Sequence, residues 1–338
     1  MGPLGIALVG LGEIGRTAHL PAILRRHDVR LRVAVEPAAA QRARSAPLLP
    51  PGVPVVERLA AALDRHDVDA VVLATPPWVT PDLVIEAARR GRFVLAEKPV
   101  ATSVAAGGAY AVLTAVECAR IQVGLTYRHD PGMIALREVI ASGELGPALL
   151  VRAHIYDEQR TADTAHSTLI ESTLGHGSPV VHEGAHVFDW LRFLLDAEPE
   201  LQDAWSIRTR PGLGAPNLVG ARLRYGTAEV LVEFGWLLGA LPRTELTVLG
   251  DRGMAVLDGR TFDLTVTTDA GSRTSTPVPD RATRSFDRQL DRLVGLARGA
   301  TDRPDPSLDD GLRALAVSEQ VEHRATAAHV PPRRMRTG

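Results

Sequence analysis

Apolar residues come in short unbroken runs over the first third of the chain and in alternation over the rest, and this change of period divides the sequence. Gly5–Val9 is the first run, Thr17–His27 follows with helical spacing, and Leu31–Val35 is a second run. Leu59–Leu63 reads as helix, Ala70–Ala74 as a strand buried on both faces, and Asp82–Arg90 as a helix closed by Gly91. Phe93–Ala96 is the next strand, Ser103–Glu117 a helix and Ile121–Gly124 a further strand. Strands alternating with helices predict a doubly wound parallel sheet that is complete near residue 125. From about residue 147 apolar and polar positions alternate instead, over Ala148–Tyr156, Leu218–Tyr225, Ala228–Trp236 and Glu245–Gly250. Turn signals at Tyr225-Gly226, Gly250-Asp251 and Asp258-Gly259 separate several of these segments. They predict an α+β domain with a large, mainly antiparallel open sheet, one apolar face of which is covered by helices. Thr161–Pro179 is polar and reads as a loop over the cleft, and Ser307–His323 as a last helix. The basic, Pro-rich tail 331–338 is expected to be disordered.

The first strand delivers into Gly10-Leu-Gly12-Glu13-Ile14-Gly15, and a helix follows. Strand, glycine turn and helix in that order form a dinucleotide-binding fingerprint. Gly10 permits the tight turn, Gly12 lets the backbone approach a pyrophosphate, and Gly15 lets helix and strand pack closely. The second strand ends in Glu36, about 20 residues past the last glycine, where an acid takes the ribose hydroxyls. An acid there repels a 2′-phosphate, which favours NAD, while Arg42 or Arg44 keeps NADP open. Residues 1–125 are therefore expected to be an NAD(P)-binding Rossmann domain, with the α+β domain following over 126–330.

Lysine and arginine together number 38, yet Lys98 is the sole lysine. A lysine kept against so strong an arginine bias points to work that arginine, protonated at any useful pH, cannot do. Lys98 sits in Glu97-Lys98-Pro99 at the end of a strand, and Ala74-Thr75-Pro76-Pro77 ends another. Open α/β sheets bind ligands at such carboxyl ends. Thr75, Pro76 and Glu97 thus join Gly10, Gly12, Glu13, Ile14, Gly15 and Glu36 as candidate cofactor-binding residues.

These features together resemble the Gfo/Idh/MocA oxidoreductases. The resemblance rests on the glycine turn, the acid at 36, Ala-Thr-Pro at 74–76 and Glu-Lys-Pro at 97–99. Gly-Leu-Thr-Tyr-Arg at 124–128 and Leu-Arg-Glu-Val-Ile-Ala-Ser-Gly-Glu-Leu-Gly at 136–146 extend it over nearly the whole length. One departure is Trp78-Val-Thr80, in a loop where many relatives carry histidine. The resemblance implies hydride transfer between nicotinamide and a secondary alcohol or ketone carbon of a sugar, cyclitol or nucleotide-linked sugar. It also implies that Tyr127 and Arg128 contact substrate hydroxyls or the nicotinamide ribose. It further implies a homodimer or homotetramer assembled through the open sheet face.

A second site signal is His182-Glu183-Gly184-Ala185-His186-Val187-Phe188-Asp189. Residues from 186 onward have helical periodicity, with Val187, Trp190, Leu191 and Leu194 on one side. His182, His186 and Asp189 recur at intervals of four and three and share a face. The stretch resembles the family's Asp-x-Gly-x-His-x-x-Asp helix, whose first acid and histidine flank the reacting hydroxyl. His186 and Asp189 match it, and His182 stands in the acid's place. Histidine, with an unperturbed pKa of about 6.5, suits proton exchange at neutral pH, so His186 is the candidate acid/base. Lys98 would donate to the same oxygen as alkoxide character develops, with His182 orienting His186 or relaying its proton. Asp189 is a further candidate for substrate binding. Two other readings stand beside this one. His182-Glu183-x-x-His186 fits the zinc hydrolase pattern, although Gly184 weakens the helix that pattern requires. The histidine at 182 also suits an NAD-binding sensor or scaffold without turnover.

Composition narrows the classes further. A net charge of −2 supplies no basic field for nucleic acid, so a small-molecule partner is expected. One cysteine excludes an internal disulfide framework, and no metal is expected. No apolar run reaches membrane length, and Met1-Gly-Pro-Leu-Gly5 runs into a strand without a basic leader, which predicts a cytoplasmic protein.

Overall fold

The computed structural model describes residues 2–161, 165–276 and 280–327; the tail expected to be disordered lies outside them. Among the described residues two compact units emerge, one of 2–130 with 280–315, the other of those between 131 and 276 with 316–327.

In the first unit the strands are β1 (Leu4–Val9), β2 (Val29–Val35), β3 (Val55–Val56), β4 (Ala70–Leu73), β5 (Phe93–Glu97) and β6 (Ile121–Gly124). Their order is β3-β2-β1-β4-β5-β6 and every pairing is parallel, the Rossmann arrangement expected from the alternating pattern. β1 and β4 are buried throughout, as continuous apolar runs covered on both faces require. One face packs Val33, Val71, Val94 and Val123 with the helix Thr80–Arg89; the other packs Ile6, Leu8, Leu31 and Val72. Leu290, Leu293 and Val294 of the helix Arg281–Ala297 complete the second face. The division at 125/126 had put residues 280–315 with the second domain; the structure groups them with the first. An apolar stripe specifies that a helix must cover something, but not which sheet it covers.

Two local expectations are corrected. Ser103–Glu117 is not one helix but Val104–Gly107, a 3₁₀ turn Gly108–Val112 and a separate helix Ala115–Cys118. Thr114 starts that last piece through a capping box with Glu117. Within Thr161–Pro179, Ala165–Thr173 is helical and Leu174–His176 forms a 3₁₀ turn, because Ile170 and Leu174, four apart, bury against Leu213, Trp236 and Leu237.

The second unit carries β7 (Ala148–Gln159), β8 (Pro199–Ile207), β9 (Leu218–Tyr225), β10 (Ala228–Leu238), β11 (Glu245–Gly250), β12 (Gly253–Asp258), β13 (Leu264–Thr268) and β14 (Gly271–Ser275). They form one sheet in the order β14-β13-β12-β11-β7-β10-β9-β8. β7 and β10 run parallel and the other pairs antiparallel. The helix Pro179–Leu195 covers one face, with Phe188 tilted against Phe234 of β10 at 6.1 Å.

Candidate functional site

The glycine turn leaves β1 at the carboxyl edge of the first sheet. Gly10 has φ +86°, and a Cβ there would collide with the Ala74 carbonyl. A Cβ at Gly15 would collide with the Gly10 carbonyl, so the third glycine admits the close packing of turn and helix. Gly12 differs: its Cβ would meet no protein atom within 4 Å. The protein's own packing does not demand glycine there, and Gly12, Glu13 and Ile14 stand exposed at the crest of the turn. Open backbone ahead of the helical turns Gly15–His19 and Leu20–Leu24 fits a pyrophosphate.

Glu36 locks this turn. Its buried carboxylate accepts from the Leu11 N–H at 2.9 Å and the Ala38 N–H at 3.0 Å. Arg42 lies alongside but donates to the carbonyls of Glu36 and Pro37, at 3.0 and 2.7 Å, and pairs with Glu57 at 2.8 Å. In the loop that follows β4, Thr75 and Pro76 are tied to the start of the helix Thr80–Arg89. The Thr75 and Thr80 hydroxyls lie 3.0 Å apart, and the Thr80 hydroxyl donates to the Pro76 carbonyl at 3.0 Å. Trp78, in the same loop, is 70% exposed.

β5 lies beside β4 and is followed by Lys98, whose peptide bond to Pro99 is cis. Glu97 turns back into the unit: Oε1 meets His19 Nε2 at 2.7 Å, and Oε2 accepts the Lys98 N–H at 3.2 Å. A Cβ at Gly124 would lie 2.9 Å from the Glu97 carboxyl group, so this carboxylate needs glycine on the adjacent strand. His19 was missed in the sequence. It is buried, edge-on to Phe286 at 5.3 Å, and anchors the Glu97-Lys98 backbone to the helix after the glycine turn. The available signal was an acid at a strand end beside an otherwise apolar run, which calls for a buried partner.

Tyr127 and Arg128 fall in a 3₁₀ turn, Thr126–His129. The Arg128 guanidinium pairs with Asp310 at 2.9 Å and Asp305 at 3.3 Å. Burial pushes the Asp310 carboxyl up, but Arg128 and hydrogen bonds from Ser307 outweigh it and bring the pKa down to about 2. The geometry therefore makes Arg128 an anchor between the end of the sheet and the 305–310 segment.

In the second unit the helix Pro179–Leu195 begins earlier than the periodicity suggested, with Pro179 at its first turn, so His182, His186 and Asp189 all ride one helix. His186 and Asp189 are buried and His182 is half-buried. A Cβ at Gly184 would press on Ser318 and Phe188, which accounts for a glycine inside this helix by close packing. Among the described residues no three His, Cys, Asp or Glu side chains are grouped to hold a metal ion. No helix among them is long and apolar enough to cross a membrane.

Residues 4–125 match an oxidoreductase family with an NAD-binding Rossmann fold, and residues 133–256 match the GFO/IDH/MocA C-terminal domain. Inositol 2-dehydrogenase 4 of Saccharopolyspora erythraea is 32% identical over 97% of this chain and 95% of that protein. The rhizopine catabolism protein MocA of Rhizobium meliloti is 29% identical over 57% of this chain, and the match spans 58% of that protein. The crystal structure of an oxidoreductase from Agrobacterium radiobacter, in complex with NAD+, L-tartaric acid and magnesium, is similar in fold. Its TM-score is 0.81 at 19% identity, covering 96% of this chain and 97% of that one. With an NAD-binding Rossmann unit followed by this C-terminal domain, the chain belongs to the Gfo/Idh/MocA family of oxidoreductases.

Proposed function

We propose that the protein transfers hydride reversibly between NAD and a secondary alcohol carbon of a cyclitol or related polyol. The observation that carries this reading is the convergence on one sheet edge of the glycine turn, Glu36 and the lone lysine, from β1, β2 and β5. The inositol 2-dehydrogenase relative supports the substrate class. NAD, when bound, supplies the hydride chemistry. Gly10, Gly12, Glu13, Ile14 and Gly15 would hold its pyrophosphate, and Glu36 its ribose. Thr75, Pro76 and Glu97 would shape the remaining edge. His186 takes or returns the hydroxyl proton, Lys98 stabilises negative charge on the oxygen, and Asp189 and Tyr127 orient the substrate. A single cysteine and a dinucleotide requirement suit a cytoplasmic setting.

The first test is titration with NADH and NADPH, followed by nicotinamide fluorescence. Glu36 opposes a 2′-phosphate and Arg42 is already committed to Glu57, so NADH should bind at least roughly tenfold more tightly, a difference of ~1.4 kcal/mol. Glu36→Ala should weaken NADH by roughly tenfold or more and narrow that preference. Equal affinities in the native protein sink the NAD preference; binding of neither sinks the dehydrogenase reading. Tight binding with no turnover across a panel of polyols and keto-sugars would leave a sensor.

We also assign self-association to the open face of the second sheet. Leu231, Leu249, Met254 and Trp205 are exposed on it, and Leu231 lies opposite Arg222 and Arg152. Leu231→Glu introduces a charge that those arginines can neutralise within the monomer but that a hydrophobic interface cannot absorb. Light scattering should show a native dimer or tetramer and a variant of lower mass with unchanged circular dichroism. A native monomer, or a variant of native mass, refutes the assignment.

A further inference from the structure

Where β7 runs beside β10, the ladder breaks. Gly235 pairs with Tyr156 and Trp236 with Glu158, so Asp157 is bulged out of β7; Leu238 then pairs with Gln159, so Leu237 is bulged out of β10. Leu237 has φ +54°, a left-handed conformation that a leucine adopts only when its surroundings impose it. The double bulge aims two side chains at each other: the Trp236 indole N–H donates to Asp157 Oδ1 at 2.8 Å. The His182 ring lies parallel over the same indole, with centroids 5.3 Å apart and planes 20° apart. We propose that Asp157 is a positioning residue, which through the Trp236 indole fixes the ring of His182 on the helix that carries His186.

The groups that face Asp157 make this arrangement sensitive to pH. Burial and the nearby Glu183 carboxylate push its carboxyl up to about 6, with Glu158 on its own strand adding to the rise and the indole hydrogen bond opposing it. The indole itself is buried in an apolar cluster with Ile170, Leu174, Leu213 and Leu237. Above that pH an ionised Asp157 accepts a charge-assisted hydrogen bond and holds the indole in place. It also enriches the π face on which the imidazole stacks. Below it, the neutral carboxyl accepts the indole N–H only through its carbonyl oxygen, a weaker bond that loosens the platform for His182. In the family pattern an acid occupies position 182; here a carboxylate acts on that position from β7, one aromatic ring removed. Unlike a ligand role, this one requires Asp157 to touch neither substrate nor cofactor.

The importance of this switch for turnover rests on the proposed hydride transfer, but the switch itself is measurable without it. In protein labelled at tryptophan and histidine, the Trp236 indole N–H resonance should titrate with a midpoint near 6, and the His182 ring signals should show an inflection at the same pH. The Trp236 inflection, and with it the component that His182 shares with Trp236 beside its own imidazole titration, should vanish in Asp157→Asn, which keeps the side chain's shape, and Glu183→Gln should move it to lower pH. In turnover assays Asp157→Asn should lower kcat at least about threefold at neutral pH with KM changed less, and should remove one limb of the pH profile. A Trp236 signal that titrates unchanged in Asp157→Asn overturns the proposal, as does a His182 signal with no inflection shared with Trp236. Loss of the hydride reading would appear differently, as intact coupled titrations in a protein without turnover.

Discussion

Lys98→Arg should lower kcat by roughly 10²- to 10³-fold while the Kd for NADH stays within about twofold; this is the scale for losing one donor to a developing oxyanion, ~3–4 kcal/mol. The substitution preserves charge, so it separates electrostatics from geometry. Lysine presents a compact ammonium with three rotatable donors, whereas arginine presents a longer planar fork that cannot approach an oxygen at the same point. The backbone at this position has little freedom to compensate. The Lys98 N–H is held by Glu97 at 3.2 Å, and Glu97 is held by buried His19 at 2.7 Å. NADH affinity is spared because the glycine turn and Glu36 come from other strands and keep their own hydrogen bonds. Stopped-flow measurement of the first turnover distinguishes a slower chemical step from slower release. An arginine variant with native kcat would show that Lys98 serves only as a cation, and the lone lysine would lose its assigned function.

Why some of this could be read from sequence and some could not follows from the range of the forces involved. β1 and β4 announce themselves because strands buried on both faces must be apolar throughout, and the turn after β1 needs glycine at 10 for its positive φ. Glu36 was placed by spacing alone, yet its hydrogen bond to the Leu11 N–H, which ties the acid to the glycine turn, needed coordinates. His19 and Glu97 are 78 residues apart, and nothing periodic links them. The ion pairs of Arg128 were equally hidden, because Asp305 and Asp310 arrive from the far end of the chain. The same distance hid the attachment of residues 280–315 to the first unit. The helix Ala165–Thr173 was overlooked because its sequence is mostly polar, and its burial rests on Ile170 with the adjoining Leu174. Asp157 gave no signal at all, since a bulge in a parallel pair has no mark in alternation beyond one residue out of phase.

His186→Gln should reduce kcat/KM by roughly 10²- to 10⁴-fold, the contribution of a positioned general acid/base, and should erase the ionisation that this histidine imposes on the pH profile. Glutamine retains the length and one polar contact of imidazole but cannot accept and return a proton. Folding is preserved on physical grounds: position 186 lies well inside the helix Pro179–Leu195, and the packing contact between Phe188 and Phe234 is untouched. Because His186 belongs to the second unit and the glycine turn to the first, NADH binding should again change by no more than about twofold. The variant separates two kinds of proton handling. If His186 is the base for alcohol oxidation, activity should recover partly at high pH, where hydroxide can substitute, and the deuterium isotope effect on the transferred hydride should rise as chemistry limits the rate. If His182 is itself the base and His186 only orients it, His182→Gln should instead cause the larger loss and His186→Gln should leave a displaced pH profile. A His186→Gln protein that keeps native kcat/KM and an unchanged profile would remove His186 from the reaction and leave His182 and Lys98 as the remaining candidates to exchange the proton.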